Sequence, residues 1–85
     1  MRLDQATWIE VDAYLGHSRG IFIPVGSTEQ HGPMGLIGTD ALCAEKIAEG
    51  AGVKLSAYVA PTLAYTPAPF NMSFPGTISV SESTF

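Results

Sequence analysis

Apolar residues recur at helical spacing near the start of the chain, run together soon afterwards, and alternate with polar residues further on. Trp8, Val11 and Leu15 stand three and four residues apart, the stripe of an amphipathic helix. Thr7 and Glu10 have the Thr-x-x-Glu spacing of a capping box at its start, and Gly16 and Gly20 bracket its end. The run Gly20-Ile21-Phe22-Ile23-Pro24-Val25-Gly26 is almost continuously apolar between glycines, which predicts a strand buried on both faces of a parallel sheet. From Ala41 to Glu49 good helix formers dominate, with Ala44, Ile47, Ala48 and Ala51 on roughly one side and Gly50 and Gly52 as a stop. Val53, Leu55, Ala57 and Val59 then alternate with Lys54, Ser56 and Tyr58, predicting a second strand that ends at Pro61. Strand, helix and strand in succession predict a right-handed crossover between neighbouring parallel strands, hence an α/β fold.

Beyond Pro61 the pattern loses its period. The segment from Pro61 to Met72 carries three prolines and two aromatics and reads as an irregular loop after a strand, a place where pockets form. Tyr65, Phe70, Asn71 and Phe74 are the candidates for a pocket wall, although each aromatic taken singly reads as packing the loop onto the body. Ser79 to Phe85 reads as a strand ending, a cap and the first residues of a helix that never develops. Such a short helical nucleus is unfavourable without continuation, so the 85 residues are expected to be the N-terminal part of a larger single domain.

The chemistry concentrates at the exit of the first predicted strand. Gly26-Ser27-Thr28-Glu29-Gln30-His31-Gly32-Pro33, closed by Gly38-Thr39-Asp40, places a carboxylate, an imidazole and a second carboxylate in one glycine-rich crossing from strand to helix. Ligands of open α/β sheets gather beyond the carboxyl ends of the strands. In extended backbone Glu29 and His31 project to the same side, and Pro33, Gly35 and Gly38 allow a turn that returns Asp40 towards them. Glu oxygen, His nitrogen and Asp oxygen suit zinc and also tolerate manganese or another first-row ion, and a carboxylate can bridge two ions. Each residue also has a plainer role open to it. Asp40 has the place and chemistry of a helix cap, and Glu29 and His31 those of a solvated or hydrogen-bonded loop pair.

Composition narrows the classes. With 46% hydrophobic and 14% charged residues the chain is not of disordered type. The formal charge of −4 and four scattered basic residues give no footprint for nucleic acid. No apolar run is long enough to cross a bilayer, and Met1-Arg2-Leu3-Asp4-Gln5 opens no signal region, which makes the cytoplasm the expected location and a membrane an unexpected partner. Cys43, the single cysteine, reads as a small buried apolar residue rather than a nucleophile, and His17, after Gly16, as a structural residue at a helix end. The loop from Gly26 lacks both the P-loop ending and the dinucleotide-binding spacing.

The string Pro24-Val25-Gly26-Ser27-Thr28-Glu29-Gln30-His31-Gly32-Pro33 with Gly38-Thr39-Asp40 closely resembles the signature of the creatininase (creatinine amidohydrolase) family. Thr7-Trp8-Ile9-Glu10-Val11 resembles that family's first helix start, and Phe74-Pro75-Gly76-Thr77-Ile78-Ser79 its later FPGT segment. The resemblance implies a three-layer α/β/α domain with a mostly parallel sheet, commonly oligomeric, that hydrolyses a carbon–nitrogen bond of a cyclic or linear small-molecule amide. It implies two ions, zinc or manganese, with Glu29 binding one, His31 the other and Asp40 bridging both. Many members carry a second histidine after the His-Gly-Pro triplet where this chain has Met34, which touches the substrate more than the metals. The family's remaining ligands, a histidine and a glutamate, lie downstream of the matched segments, so the 85 residues alone leave the site incomplete. A formamide deformylase or a peptide-cleaving maturation enzyme on the same scaffold, and a non-catalytic relic or interaction module, are the alternatives.

Overall fold

The computed structural model describes residues 1–85. Its first helix, α1 (Trp8–Leu15), starts where the capping box puts it: the Thr7 hydroxyl accepts from the Glu10 amide at 3.3 Å, and the Glu10 carboxylate accepts from the Thr7 amide at 3.1 Å. The expected stripe is not the packed face. Trp8 and Leu15 are exposed, and Tyr14 is the residue α1 buries. Tyr14 meets Tyr58 edge-on with ring centroids 4.7 Å apart, and its hydroxyl donates to the Gly20 carbonyl at 2.6 Å. An amphipathic residue thus ties the helix to the sheet with both its ring and its polar tip.

Strand β1 (Ile21–Phe22) pairs in parallel with β2 (Tyr58–Val59), in the register Ile21 to Tyr58 and Phe22 to Val59. Both are shorter than the sequence predicts. Pro24 has no N–H to give to the ladder, so pairing lapses there and resumes as an isolated parallel bridge between Val25 and Leu63. There the Leu63 amide donates to the Pro24 carbonyl and the Gly26 amide to the Leu63 carbonyl, each at 2.9 Å. The strand is also covered on one side rather than two. Ile21, Ile23 and Val25 are exposed, while the intervening Phe22 is half-buried and Pro24 buried.

The helix between the strands, α2 (Thr39–Leu55), runs straight through both predicted stop glycines. A Cβ on Gly52 would lie 2.8 Å from Val59 Cγ2, so this glycine is where α2 presses on β2 rather than where it ends. The helix stops one turn later at Ser56, which takes the left-handed conformation (φ 52°) and donates its amide to the Gly52 carbonyl. Val53 and Leu55 are therefore helical and exposed, and the second strand begins only at Tyr58. Ala41, Ala48 and Gly52 form the buried face of α2, while Ile47, expected inside, points outward. Cys43 is likewise exposed.

The later segments fold back across the strand exit. Thr28 and Ile78 form an antiparallel bridge, with the Ile78 amide donating to the Thr28 carbonyl at 2.9 Å, and the Thr28 hydroxyl donates to the Ala64 carbonyl at 2.8 Å. A 3₁₀ turn occupies Pro69–Asn71. Ser81 caps a single closing turn, its hydroxyl accepting from the Thr84 amide at 3.1 Å. No helix is long and apolar enough to cross a membrane. Helices and parallel strands in the order strand, helix, strand make this an α/β fold.

Candidate metal centre

The crossing from β1 to α2 brings Glu29, His31 and Asp40 to one place. Gly26 makes this approach feasible: a Cβ there would lie 2.5 Å from the Ala41 nitrogen and 2.6 Å from the Asp40 carbonyl carbon, so only a glycine lets the strand exit run against the first turn of α2. Asp40 sits in that first turn but does not cap it. The cap position is Gly38, without a side-chain bond, and the Asp40 carboxylate turns to the loop instead. Its Oδ1 lies 3.3 Å from His31 Nε2, and its Oδ2 accepts from the Ser27 hydroxyl at 2.7 Å. The same hydroxyl stands 2.9 Å from Glu29 Oε1. One hydroxyl hydrogen serves one of these carboxylates at a time, so the other faces a lone pair.

The imidazole is held at its other nitrogen. His31 Nδ1 is 3.2 Å from the Glu29 carbonyl, which only accepts, so Nδ1 carries a hydrogen, and Nε2, facing Asp40 Oδ1, is the nitrogen that gains or loses the second proton. Hydrogen bonding to that carbonyl, helped by the nearby Asp40 carboxylate, raises the His31 pKa above the ordinary imidazole value. The Ser27 hydroxyl, followed by the His31 charge, lowers that of Asp40 below the ordinary carboxylate range. Glu29 is anchored at its far oxygen, where Oε2 accepts from Asn71 Nδ2 at 2.7 Å. Ser27, Glu29 and His31 follow the period of two in extended backbone, and the alternation that pairs Glu29 with His31 also marks Ser27. Asn71 carries no such local sign. It comes from the irregular loop, where the sequence offers it as a pocket wall, and it lies instead on the Glu29 carboxylate.

The donor chemistry fits a first-row divalent cation: two carboxylates and an imidazole whose hydrogen is fixed on the far nitrogen. No three His, Cys, Asp or Glu side chains gather so as to hold one ion between them. Asp40 is the common member, reaching His31 with one oxygen and Glu29 through Ser27 with the other. Beside the cluster a concavity of about 350 Å³ is lined by Gln30, Gly32, Pro33, Gly35, Ile37, Phe74 and Pro75. Of the wall candidates Phe74 belongs to it, whereas Phe70 is 95% exposed. A larger concavity between α1 and β2 contains none of the three candidate ligands.

Among known proteins, the chain is 41% identical over 69 residues to the mycofactocin precursor peptide peptidase of Mycolicibacterium smegmatis, covering 74% of this chain and 28% of that protein. It is 38% identical over 66 residues to the 3-dehydro-scyllo-inosose hydrolase of Thermotoga maritima, covering 76% of this chain and 21% of that one. Among solved structures it superposes on a creatinine amidohydrolase (creatininase) with a TM-score of 0.89 at 27% identity, over 98% of this chain and 34% of the other. A manganese form of creatininase gives a TM-score of 0.87 at 26% identity, and a zinc–zinc form of a mutant creatininase 0.85 at 27% identity. Both cover 98% of this chain, with 35% and 34% of the respective structures. The chain thus spans between about a fifth and about a third of the proteins it matches. The model of the creatininase (creatinine amidohydrolase) family matches residues 4–85, through both helices, both strands and every residue of the carboxylate–imidazole cluster, and the chain accordingly belongs to that family.

Proposed function

We propose that the protein is a metal-dependent hydrolase of a carbon–nitrogen bond, and that residues 1–85 form the N-terminal part of its single catalytic domain. The observation that carries the reading is the placement of Asp40 between its two neighbours, His31 Nε2 at 3.3 Å from one oxygen and the Ser27–Glu29 pair on the other. In that position Asp40 would be the shared carboxylate that membership of the family implies, with Glu29 and His31 each holding a separate ion. Such a division would give each ion two ligands from this chain. Zinc or manganese would be the ion held there, a reading supported by the manganese and zinc–zinc forms of the structural relatives. A pair of such ions supplies a Lewis acid for the carbonyl and a hydroxide nucleophile at neutral pH.

The chain's own residues prepare the site. The Glu29 carbonyl fixes the His31 tautomer, Ser27 holds the two carboxylates side by side, and the Gly26 contact sets the distance of α2 from the loop. The concavity beside Gln30 and Phe74 has room for a small amide. Soluble, oligomeric and cytoplasmic behaviour belongs to the same proposal.

Metal analysis of the intact protein tests the reading. Asp40→Ala is expected to abolish high-affinity zinc and manganese binding, and retained stoichiometry in that variant would remove the bridging role. A second reading, a peptide-cleaving maturation enzyme with the same metal centre, is favoured by the 41% identity to a precursor peptide peptidase, against 27% to creatininase. Hydrolysis assays on small amides and on peptides in parallel separate the two.

A further inference from the structure

Two amide side chains outside the candidate ligand set form a chain of hydrogen bonds that ends on Glu29. The Gly32 amide donates to Gln30 Oε1 at 2.8 Å, Gln30 Nε2 donates to Asn71 Oδ1 at 2.9 Å, and Asn71 Nδ2 donates to Glu29 Oε2 at 2.7 Å. The direction of this relay is fixed at its origin. A backbone N–H can only donate, so Gln30 must present its oxygen to Gly32 and its amino group to Asn71. Asn71 must then present its oxygen to Gln30, which leaves its own amino group for the carboxylate. The loop that carries Asn71 is itself tied down by a 3₁₀ turn, and the backbone N–H of Gln30 donates to Thr77 Oγ1 at 3.3 Å.

We infer that Asn71, oriented by Gln30, is the positioning residue for Glu29: it occupies Oε2 and so presents Oε1, on the Ser27 and Asp40 side, as the coordinating oxygen. The inference rests on the metal-centre reading and adds to it which oxygen of Glu29 is used and what selects it. Glu29 Oε1 shares the Ser27 hydroxyl with Asp40 Oδ2, so it can give up that partner to a cation while Asp40 keeps it. Oε2 has a dedicated donor and no such freedom. Partners that orient a ligand in this way typically govern a tenfold to hundredfold change in metal affinity.

The test uses the intact protein and three variants, with zinc and manganese dissociation constants measured by chelator competition and melting temperatures taken with and without metal. Asn71→Leu keeps the bulk and removes the donor. Gln30→Glu keeps the shape but can only accept, so it turns the Asn71 amide round and points an oxygen at Glu29. Both are expected to weaken metal binding about tenfold to hundredfold and to shrink the metal-induced rise in melting temperature, with little change in the metal-free melting temperature. The Gln30→Glu result is discriminating, because an added negative charge acting through Coulomb attraction alone would tighten a cation. Unchanged or tighter binding in Gln30→Glu, or a loss confined to the metal-free melting temperature, overturns the relay. Asp40→Ala runs alongside: if it retains full metal, the metal-centre reading fails, whereas loss there with wild-type affinity in the other two variants refutes the positioning role alone.

Discussion

The pKa values of His31 and Asp40 shift in opposite directions, His31 first through the Glu29 carbonyl and Asp40 first through the Ser27 hydroxyl, each then helped by the other's charge, and the sign of each shift fixes how the metal-free cluster responds to pH. The His31 pKa is raised, so its share of the ion pair is complete below the ordinary imidazole value of about 6.5 and is lost as pH rises through the raised value. The Asp40 pKa is lowered, so its share is complete above the ordinary carboxylate value of about 3.9 and is lost as pH falls through the depressed one. Between those limits the imidazolium and the carboxylate face each other at 3.3 Å; above them Nε2 loses its proton and presents a lone pair. Following the His31 ring protons by NMR in metal-free protein should therefore give a midpoint above the ordinary value. Asp40→Asn should move it down only in part, because the first cause of the shift is the Glu29 carbonyl rather than the carboxylate. A midpoint at or below the ordinary value in the parent protein would contradict the geometry.

At the scale of elements, the end of α2 offers a sharper test than its start. Ser56 takes φ 52° with a full side chain, a conformation that costs an L-residue about 1 kcal/mol and glycine almost nothing. Ser56→Gly is expected to stabilise the protein by roughly 0.5–1 kcal/mol, read as a rise in the denaturant midpoint at constant slope. This helix end also shows why element types were legible in the sequence and their limits were not. The capping box at Thr7 is a local signal spanning four residues, Thr7 to Glu10, and it placed the start of α1 correctly. Gly50 and Gly52 carry an equally local stop signal, but the contact of Gly52 with Val59 is tertiary and overrides it. Pro24 interrupts the sheet for a reason visible in the sequence, its missing N–H, which the apolar run around it masked. In the cluster, Glu29, His31 and Asp40 were legible because they lie at a strand exit with a glycine-rich return, and Ser27 follows the same period of two. The partner of Glu29 was not, since Asn71 lies 42 residues away in a loop without periodicity.

For the molecule as a whole, the decisive quantity is how little of it is buried. The chain exposes 5947 Å², where a compact monomer of its mass should expose about 4,900 Å². Its radius of gyration is 15.4 Å, against roughly 12 Å for a compact domain of this length. The excess comes from shape: the body measures 47 × 29 × 16 Å, a slab too thin to enclose a core, and only 10 of 85 residues are buried. Those that are buried are mostly small, with Tyr14, Tyr58 and Val59 the larger ones, whereas Trp8, Ile9, Ile47 and Phe70 face outward. The row Ile21, Ile23 and Val25 leaves one face of a parallel strand uncovered, although parallel sheets are almost always covered on both faces. Residues 1–85 produced alone should therefore self-associate, eluting ahead of a 9 kDa monomer on size exclusion, binding a hydrophobic dye and melting without a cooperative transition. A dye-silent monomer with a sharp, two-state transition would show instead that this slab is stable by itself, and would remove the main physical support for placing it inside a larger catalytic domain.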